Sequence, residues 1–263
     1  MPILSCNNIQ HLGVVEVMTT ISSTDEYSSD IKQILIKRKI ASEFLPITIY
    51  QKNVADVSDL TVEIEDALCR NNTEYEYKVE YRDENDVIIN SETCNIVSFF
   101  NCLVLFDEDK VYTCPLNCSA INFNTIKPFV VNAPILSKKP SYYCNTMINY
   151  DEGTCQGTFV DIDDTGRNIE FIYKDNWKYR KKFKDWLTVG NAKVIKSVSG
   201  EMWLVGIKTD TISDSSIFSD AEIDGARLVE FGWVEIGDVD SEQDLYDNNL
   251  ISLIDIDDDY WSA

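Results

Sequence analysis

The chain has a single histidine, His11, among its 263 residues. Catalytic triads, Cys-His pairs and multi-histidine metal centres would all have to use this one residue, so most common hydrolase designs are excluded. The GxxxxGK[ST], GxGxxG, GxSxG and HExxH patterns of nucleotide-binding proteins and familiar hydrolases are also missing. We therefore predict no catalytic residues, no cofactor and no metal, expect a protein that is not an enzyme, and place His11 at the surface or at a strand edge.

Long apolar runs are missing as well. No segment approaches the ~18 consecutive apolar residues of a membrane-spanning helix, and residues 1–13 lack the basic start and apolar core of a signal peptide. The sequence thus predicts synthesis in the cytoplasm and no membrane partner. Because thiols stay reduced in that compartment, the eight cysteines are expected to be free and buried. A structural zinc ion is the alternative, and it would require Cys114 and Cys118 to meet Cys144 and Cys155.

Positive charge is scarce, since 45 Asp and Glu residues oppose 23 Lys and Arg residues and give a net charge of −22. Such a surface repels a phosphate backbone, so nucleic acid is not an expected partner. One basic cluster stands out within residues 174–184, in a segment whose apolar residues recur at helical spacing. The pattern predicts a helix with Asp175 as N-cap and Gly190 just past its end.

The predicted helix has two faces. Its aromatic residues, which include Trp177, Tyr179 and Trp186, are interpreted as core, together with Phe183 and Leu187. The cations then form a solvated face or a contact for an acidic protein, and the candidate partner-binding residues on it are Lys178, Lys181 and Lys182.

What the chain does contain is a large supply of core residues, with 44% hydrophobic and 11% aromatic residues. In the first half these residues alternate with polar ones, as in half-buried strands, at Gln33–Ile40, ITIYQKN, TVEIED and YEYKVEY. Turn-like clusters separate the runs, a spacing typical of an antiparallel sandwich. Prolines then interrupt the pattern between about residues 107 and 143, which we interpret as an extended connection with edge strands.

In the second half, the apolar residues follow the period of a strand in some segments and that of a helix in others. CQGTFVDID and NIEFIYK are predicted strands around a DTGR turn, KVIKSVSGEMWLVGIKTD a hairpin, RLVEFGWVEIGD a strand, and Ser241 with Asp244 opens a short helix. The predicted fold class is mainly β with α+β. It comprises an immunoglobulin-like β-sandwich (residues 1–106), the connection (107–143), an α+β domain with a mixed sheet and one or two helices (144–250), and an acidic C-terminal arm (251–263).

Carboxylates cluster at two places, Asp161, Asp163 and Asp164 near a turn and Asp255 with residues 257–259 at the end. With so many acids in the chain, proximity in sequence says little, and solvated side chains explain both clusters. Binding of a hard cation such as calcium is the alternative.

The C-terminal arm combines acids with apolar residues, which disordered acidic tails largely lack. We expect it to order on a partner, with its carboxylates opposite basic groups. Its candidate partner-binding residues are Ile254, Ile256, Asp257, Asp258, Asp259, Tyr260 and Trp261.

The segment from Leu68 to Val79, LCRNNTEYEYKV, resembles the fibronectin type III signature, in which a Leu and a turn precede T-x-Y-x-V-like alternation. The turn lacks the usual proline and has one residue more, and no Trp occurs before position 177. The resemblance implies that Tyr75 is the corner tyrosine, whose hydroxyl reaches an upstream backbone group.

The second half resembles a family of tail and baseplate structural proteins of tailed bacteriophages. The similarity covers about residues 137–251, through NYDEGTCQGTFVDID, YRKKFKDWLTVGNAKVIKSVSGEMWLVGI and VEFGWVEIGDVDSEQDLYDNNLI. It implies a virion structural protein that forms a homo-oligomeric ring and bridges the tail hub or tube to other tail, baseplate or fibre proteins. We keep two alternatives: a host-surface or glycan-binding adhesin that uses Tyr142, Tyr143 and Trp261, and a carboxylate-dependent glycosidase.

Overall fold

The computed structural model describes residues 2–22, 28–108, 110–114, 120–133, 138–144, 148–163, 170–172, 175–216 and 227–251. Its strands are β1 (Ile3–Ile9), β2 (Val14–Thr20), β3 (Gln33–Ile40), β4 (Ile47–Asn53), β5 (Thr61–Asp66), β6 (Thr73–Arg82), β7 (Ile88–Ser98), β8 (Leu103–Phe106), β9 (Val111–Cys114), β10 (Ala120–Ile126), β11 (Phe129–Asn132), β12 (Ser141–Cys144), β13 (Tyr150–Gly157), β14 (Asp161–Asp163), β15 (Glu170–Ile172), β16 (Lys193–Lys196), β17 (Met202–Ser216) and β18 (Arg227–Gly237). The α-helices are α1 (Asn176–Leu187) and α2 (Glu242–Asp247), and a 3-10 turn spans Val57–Leu60.

The chain folds into two units that interleave in sequence. The described residues within 1–113, 194–202 and 238–263 form the first unit, and those within 114–193 and 203–237 form the second. The predicted class, mainly β with an α+β part, is confirmed. The domain boundaries predicted at residues 106, 143 and 250 stay a prediction.

The first unit contains the predicted sandwich. One sheet has the order β1-β2-β5 and the other the order β4-β3-β6-β7. Alternation explains the core, because every second residue of β6 points inward, from Tyr75 through Tyr77 and Val79 to Tyr81, against Ile36 and the other buried residues of both sheets. The bounds predicted for β3, β4 and β5 are confirmed, and the YEYKVEY strand lies inside β6.

The remainder of the first unit contains strands β8, β9 and β16 and helix α2. Strand β8 lies between β16 and β9, and β16 pairs with β8 antiparallel. Helix α2 begins where the sequence predicts, because the Ser241 hydroxyl accepts a hydrogen bond from the Asp244 backbone N–H at 3.3 Å. The Asp244 carboxylate accepts from the Asp238 backbone N–H, so only half of the capping box forms.

The second unit packs α1 against strands in the order β10-β13-β18-β17. These strands pair antiparallel, in place of the expected mixed sheet. Phe183 of α1 stacks on Phe159, with ring centroids 3.9 Å apart, and meets the edge of Phe231. Strands β14 and β15 form the expected hairpin, whose predicted DTGR turn lies outside the described residues, and β11 pairs with β12 as a separate ribbon.

Three details of α1 differ from the prediction. Asp175 occupies the N-cap position, but its side chain makes no capping hydrogen bond and instead accepts from Lys178 Nζ at 3.2 Å. Trp177 was expected in the core and is exposed, whereas Arg180 was expected on the cationic face and is buried. Phe183, Trp186 and Leu187 are buried as predicted.

Candidate partner-binding site

The helix face predicted to meet a partner is exposed in the structure. Lys178, Lys181 and Lys182 all lie at the surface of α1, and Lys178 also lies over the Trp177 ring, 5.6 Å from its centroid. This face therefore offers three cations beside an exposed aromatic ring. The other predicted partner-binding residues, Ile254, Ile256, Asp257, Asp258, Asp259, Tyr260 and Trp261, lie outside the described residues, as does Lys174 of the basic cluster.

Two cations of the same helix have a structural role instead. Lys184 Nζ lies 2.8 Å from the Asp214 carboxylate, Arg180 Nε lies 3.7 Å from it, and Arg227 Nε contacts it at 2.6 Å. Burial by itself raises the pKa of Asp214, but the hydrogen bonds from Lys184 and Arg227 outweigh burial and hold the pKa below its ordinary value. Asp214 thus ties α1 to strands β17 and β18.

The ribbon of β11 and β12 exposes apolar side chains on both of its faces. Phe129, Val130, Val131, Tyr142 and Tyr143 are each more than half exposed, between 52% and 64%. The Phe129 and Tyr142 rings contact each other across the strands, with centroids 5.5 Å apart. Exposed apolar side chains grouped in this way are typical of a binding surface.

Of the ribbon residues, only Tyr142 and Tyr143 were predicted from the sequence as binding residues. The signal that could have revealed the rest is charge: residues 111–150 contain no Asp or Glu and three lysines, Lys127, Lys138 and Lys139. All 45 acids of the chain lie outside this stretch. The ribbon is therefore an apolar and basic element of an acidic protein.

A groove of about 740 Å³ opens in the first unit. Its apolar lining includes Val14, Ile49, Ile64, Phe106 and Ile251. Its volume lies within the roughly 300–1,000 Å³ of pockets that enclose a small ligand, so it has room for several side chains of a partner.

The charged lining of this groove is mainly acidic. Glu65, Asp66, Asp107 and Glu108 contribute carboxylates, against one lysine, Lys110. Among these, the buried Asp66 is already neutralised, because Arg38 Nη1 lies 2.8 Å from both of its oxygens. The groove therefore combines an apolar floor with carboxylates.

The buried ion pair beside the groove is structural. Tyr77 Oη donates a hydrogen bond to Asp66 at 2.7 Å, and the Leu68 backbone N–H donates to the same carboxylate at 2.9 Å. Burial by itself lowers the pKa of Arg38, but attraction to Asp66 reverses the effect and raises it. The pair fixes the end of β5 against β3 and β6, at the border of the groove.

The carboxyl groups with a shifted pKa do not have the raised pKa of a glycosidase general acid. A general acid in such an enzyme needs a raised pKa. Burial alone raises the pKa of Glu80, but hydrogen bonds from Lys37, Arg82 and Lys78 lower it to about 2. Each carboxyl group with a resolved shift in the described part of the chain is shifted downward: Asp59, Glu80, Asp83, Glu201 and Asp214.

The other candidate groups are the histidine, the cysteines and the acidic clusters. His11 lies half-buried in the turn between β1 and β2. The seven cysteines that the structure describes form no disulfide bond, and Cys118 lies outside the described residues. Asp161 and Asp163 lie on β14, whereas Asp164, Asp255 and residues 257–259 lie outside the described residues.

Within the described ranges, no three His, Cys, Asp or Glu residues come together as a metal site would require. No described helix is long and apolar enough to cross a membrane.

The comparisons with known proteins give a remote structural likeness. No protein-family model and no curated protein matches the chain. Among solved structures, the chain is similar to a chain of the "Virion of native gene transfer agent (GTA) particle", with 12% identity and a TM-score of 0.30. The aligned region covers 52% of this chain and 92% of that chain. A likeness this remote carries no argument about what the chain does.

Proposed function

We propose that this protein is a structural, partner-binding subunit of a phage-like particle, placed in its tail or baseplate. The observation that carries the proposal is the ribbon of β11 and β12, which exposes five large apolar or aromatic side chains. An isolated two-stranded ribbon is at best marginally stable in water, so covering it with another protein stabilises both. A subunit that holds neighbours together needs such a surface. The sequence resemblance to tail and baseplate proteins supports a phage-like particle as the assembly.

The first unit supports the fibronectin type III-like part of the proposal. Its strands follow the order β1-β2-β5 in one sheet and β4-β3-β6-β7 in the other. The Tyr75 hydroxyl accepts a hydrogen bond from the backbone N–H of Arg70 at 2.8 Å, which is the contact expected of a corner tyrosine. We assign this sandwich to the fibronectin type III-like class on these two features.

In this role the protein forms a homo-oligomeric ring and bridges the tail hub or tube to baseplate or fibre proteins. The exposed Lys178, Lys181 and Lys182 of α1 and the acidic arm at residues 251–263 are proposed as contacts to those neighbours. The lysines of α1 suit an acidic surface on a partner, and the acidic arm suits a basic one. The subunit is proposed to reside in the host cytoplasm before assembly and in the virion afterwards.

Immuno-electron microscopy of purified particles tests the proposal. An antibody raised against the recombinant protein should decorate the tail or baseplate, at the same position on every particle. The protein should also co-sediment with intact particles through a density gradient. Particles that contain no trace of the protein would overturn the proposal.

An adhesin is the second candidate, because Tyr142 and Tyr143 expose their rings as carbohydrate-binding aromatics do. In that case the antibody should decorate only the outermost tip of the tail. Binding of purified protein to host cell walls would then be lost in Tyr142→Ala and Tyr143→Ala, and kept in the exposed-residue control Phe44→Ala.

A further inference from the structure

We infer that the ribbon of β11 and β12 docks into the groove of the first unit on a second copy of this chain. The contact joins two different surfaces, so one copy presents its ribbon while the next presents its groove. It specifies how the subunit would self-assemble, and it therefore rests on the proposed structural function.

The ribbon provides the inserting element. Val130 and Tyr143 are paired across the strands and share one face, while Phe129 and Val131 lie on the other with Tyr142. Both faces are therefore apolar, which suits insertion between two walls better than packing on a flat surface. Lys127 precedes the ribbon at one end and Lys138 lies on the connection at the other, and both are exposed.

The groove provides the receiving element. Its apolar lining matches the apolar faces of the ribbon, and the carboxylates of Glu65 and Glu108 are both exposed. Asp66 adds little charge because Arg38 neutralises it. Acids on the receiving surface and lysines on the inserting element give the pair complementary charge, which steers association and sets register.

The charge pattern selects a second copy over the chain's own C-terminal segment as the occupant. Residues 252–263 follow directly after Ile251 at the groove, but they contain four Asp and no Lys or Arg. Like charges would repel that segment from the groove carboxylates. The ribbon segment instead lies in the one 40-residue stretch, 111–150, from which every acid is missing.

Because the two surfaces differ, the contact is heterologous. Each added copy leaves one ribbon and one groove unused, so assembly continues until the rotation between neighbours closes a ring. This geometry agrees with a ring-forming subunit.

A charge-reversal pair tests the inference. One variant, Lys127→Glu with Lys138→Glu, makes the ribbon acidic; the other, Glu65→Lys with Glu108→Lys, makes the groove basic. Wild-type protein should form oligomers in size-exclusion chromatography with light scattering, and raising the salt concentration should shift them toward monomer. Each variant alone should be monomeric, because its altered surface meets an unaltered surface of the same sign.

Mixing the two variants should restore the oligomers. In the mixture an acidic ribbon can enter a basic groove, and the unaltered basic ribbon can enter the unaltered acidic groove. Only a direct ribbon-to-groove contact predicts this recovery, since a change elsewhere in the molecule would not be repaired by mixing. Folding of each variant is checked by circular dichroism and thermal melting before the assembly measurement.

Three controls complete the test. Val130→Ser with Tyr143→Ser should weaken self-association at least tenfold, whereas Phe44→Ser, at a fully exposed turn of the first unit, should leave it unchanged. Deleting residues 252–263 should also leave it unchanged. A monomeric wild type, assembly by either single charge-reversal variant, failure of the folded variants to reassemble on mixing, or loss of assembly on deletion alone would each overturn the inference.

The outcome is separable from that of the proposed function. Decoration of particles by the antibody together with failed reassembly would reject the ribbon-to-groove contact alone. Successful reassembly by a protein that is missing from particles would reject the virion role alone.

Discussion

At the scale of single residues, the most telling contact is the one between Tyr75 and the backbone N–H of Arg70. Replacing Tyr75 with Phe removes the acceptor and leaves a partly buried N–H without its partner. We expect the free energy of unfolding to fall by about 1 kcal/mol, the usual scale of one such hydrogen bond. Tyr143→Phe, which removes an exposed hydroxyl, should leave stability unchanged. Equal denaturation midpoints for Tyr75→Phe and wild type would contradict the corner assignment.

Glu80 should make stability depend on pH in the acid range. Its pKa falls from 4.5 to about 2 in the folded protein, because hydrogen bonds from Lys37, Arg82 and Lys78 outweigh the effect of burial. The unfolded state therefore binds more protons in this range, and the stabilisation is present above the unfolded pKa and lost as pH falls toward about 2.

Urea unfolding at several pH values measures this effect. Wild-type stability should decline across that window, and Glu80→Gln should show a flatter decline from a lower stability at neutral pH. Glu74→Gln, on the exposed side of the same strand, controls for the loss of one negative charge. The same slope for Glu80→Gln and wild type would count against the assignment.

Some residue placements could not come from the sequence. Arg180 lies three residues before Phe183 and seven before Leu187, so it shares their buried stripe on α1. Its positive charge favoured a solvent-exposed position, and only the fold brings Asp214 close enough to pair with it. Local spacing predicts which side of a helix faces inward, but it does not identify a distant counter-ion.

At the scale of elements, the strands of the first half with a polar-apolar pattern were predictable to the residue, as β3, β4 and β5 demonstrate. The ribbon of β11 and β12 was expected only as edge strands within a connection, because it is exposed on both faces and therefore lacks the polar-apolar period of a half-buried strand. Prolines at positions 128 and 140 flank its strands and conceal the pattern further. For this physical reason, the polar-apolar periodicity of the sequence does not identify a binding element that is exposed on both faces.

Gly153 should control the attachment of β10 to β13. A Cβ at this position would lie 1.9 Å from the Asn122 carbonyl oxygen, so Gly153→Ala must push the two strands apart. We expect a loss of roughly 1–3 kcal/mol, the usual cost of overpacking, and faster amide hydrogen exchange in β10. Gly206→Ala is the matched control on β17, because its nearest neighbour, Ile236 Cγ2, would lie at 3.4 Å, an ordinary contact. Unchanged exchange in β10 would contradict the close approach.

At the scale of the whole molecule, the order of segments in the chain differs from their grouping in space. Residues 194–202 and 238–251 belong to the first unit, although residues 114–193 of the second unit precede both segments and residues 203–237 separate them. A scan along the sequence assigns neighbours by proximity in the chain, so it predicts consecutive domains. The charge pattern is also a property of the whole chain, because the acid-free stretch can be recognised only by comparison with the net charge of −22 of the full sequence.

The acidic arm at the end of the chain should contribute to assembly by both charge and apolar contact. Deleting residues 252–263 is expected to leave the melting temperature of the purified protein unchanged and to lower its incorporation into particles, measured by quantitative blotting of gradient-purified material. Two variants separate the contribution of charge from that of apolar contact. The Asn variant, Asp257→Asn with Asp258→Asn and Asp259→Asn, removes charge. The Ser variant, Ile254→Ser with Ile256→Ser, removes apolar surface. Because salt screens exposed charges beyond about 10 Å at 0.1 M ionic strength, incorporation of wild type should fall as salt rises, while the Asn variant should be low and insensitive to salt. The Ser variant should be lower than wild type at every salt concentration but should keep the salt dependence. Wild-type incorporation of the deletion variant would show that partners bind the subunit elsewhere.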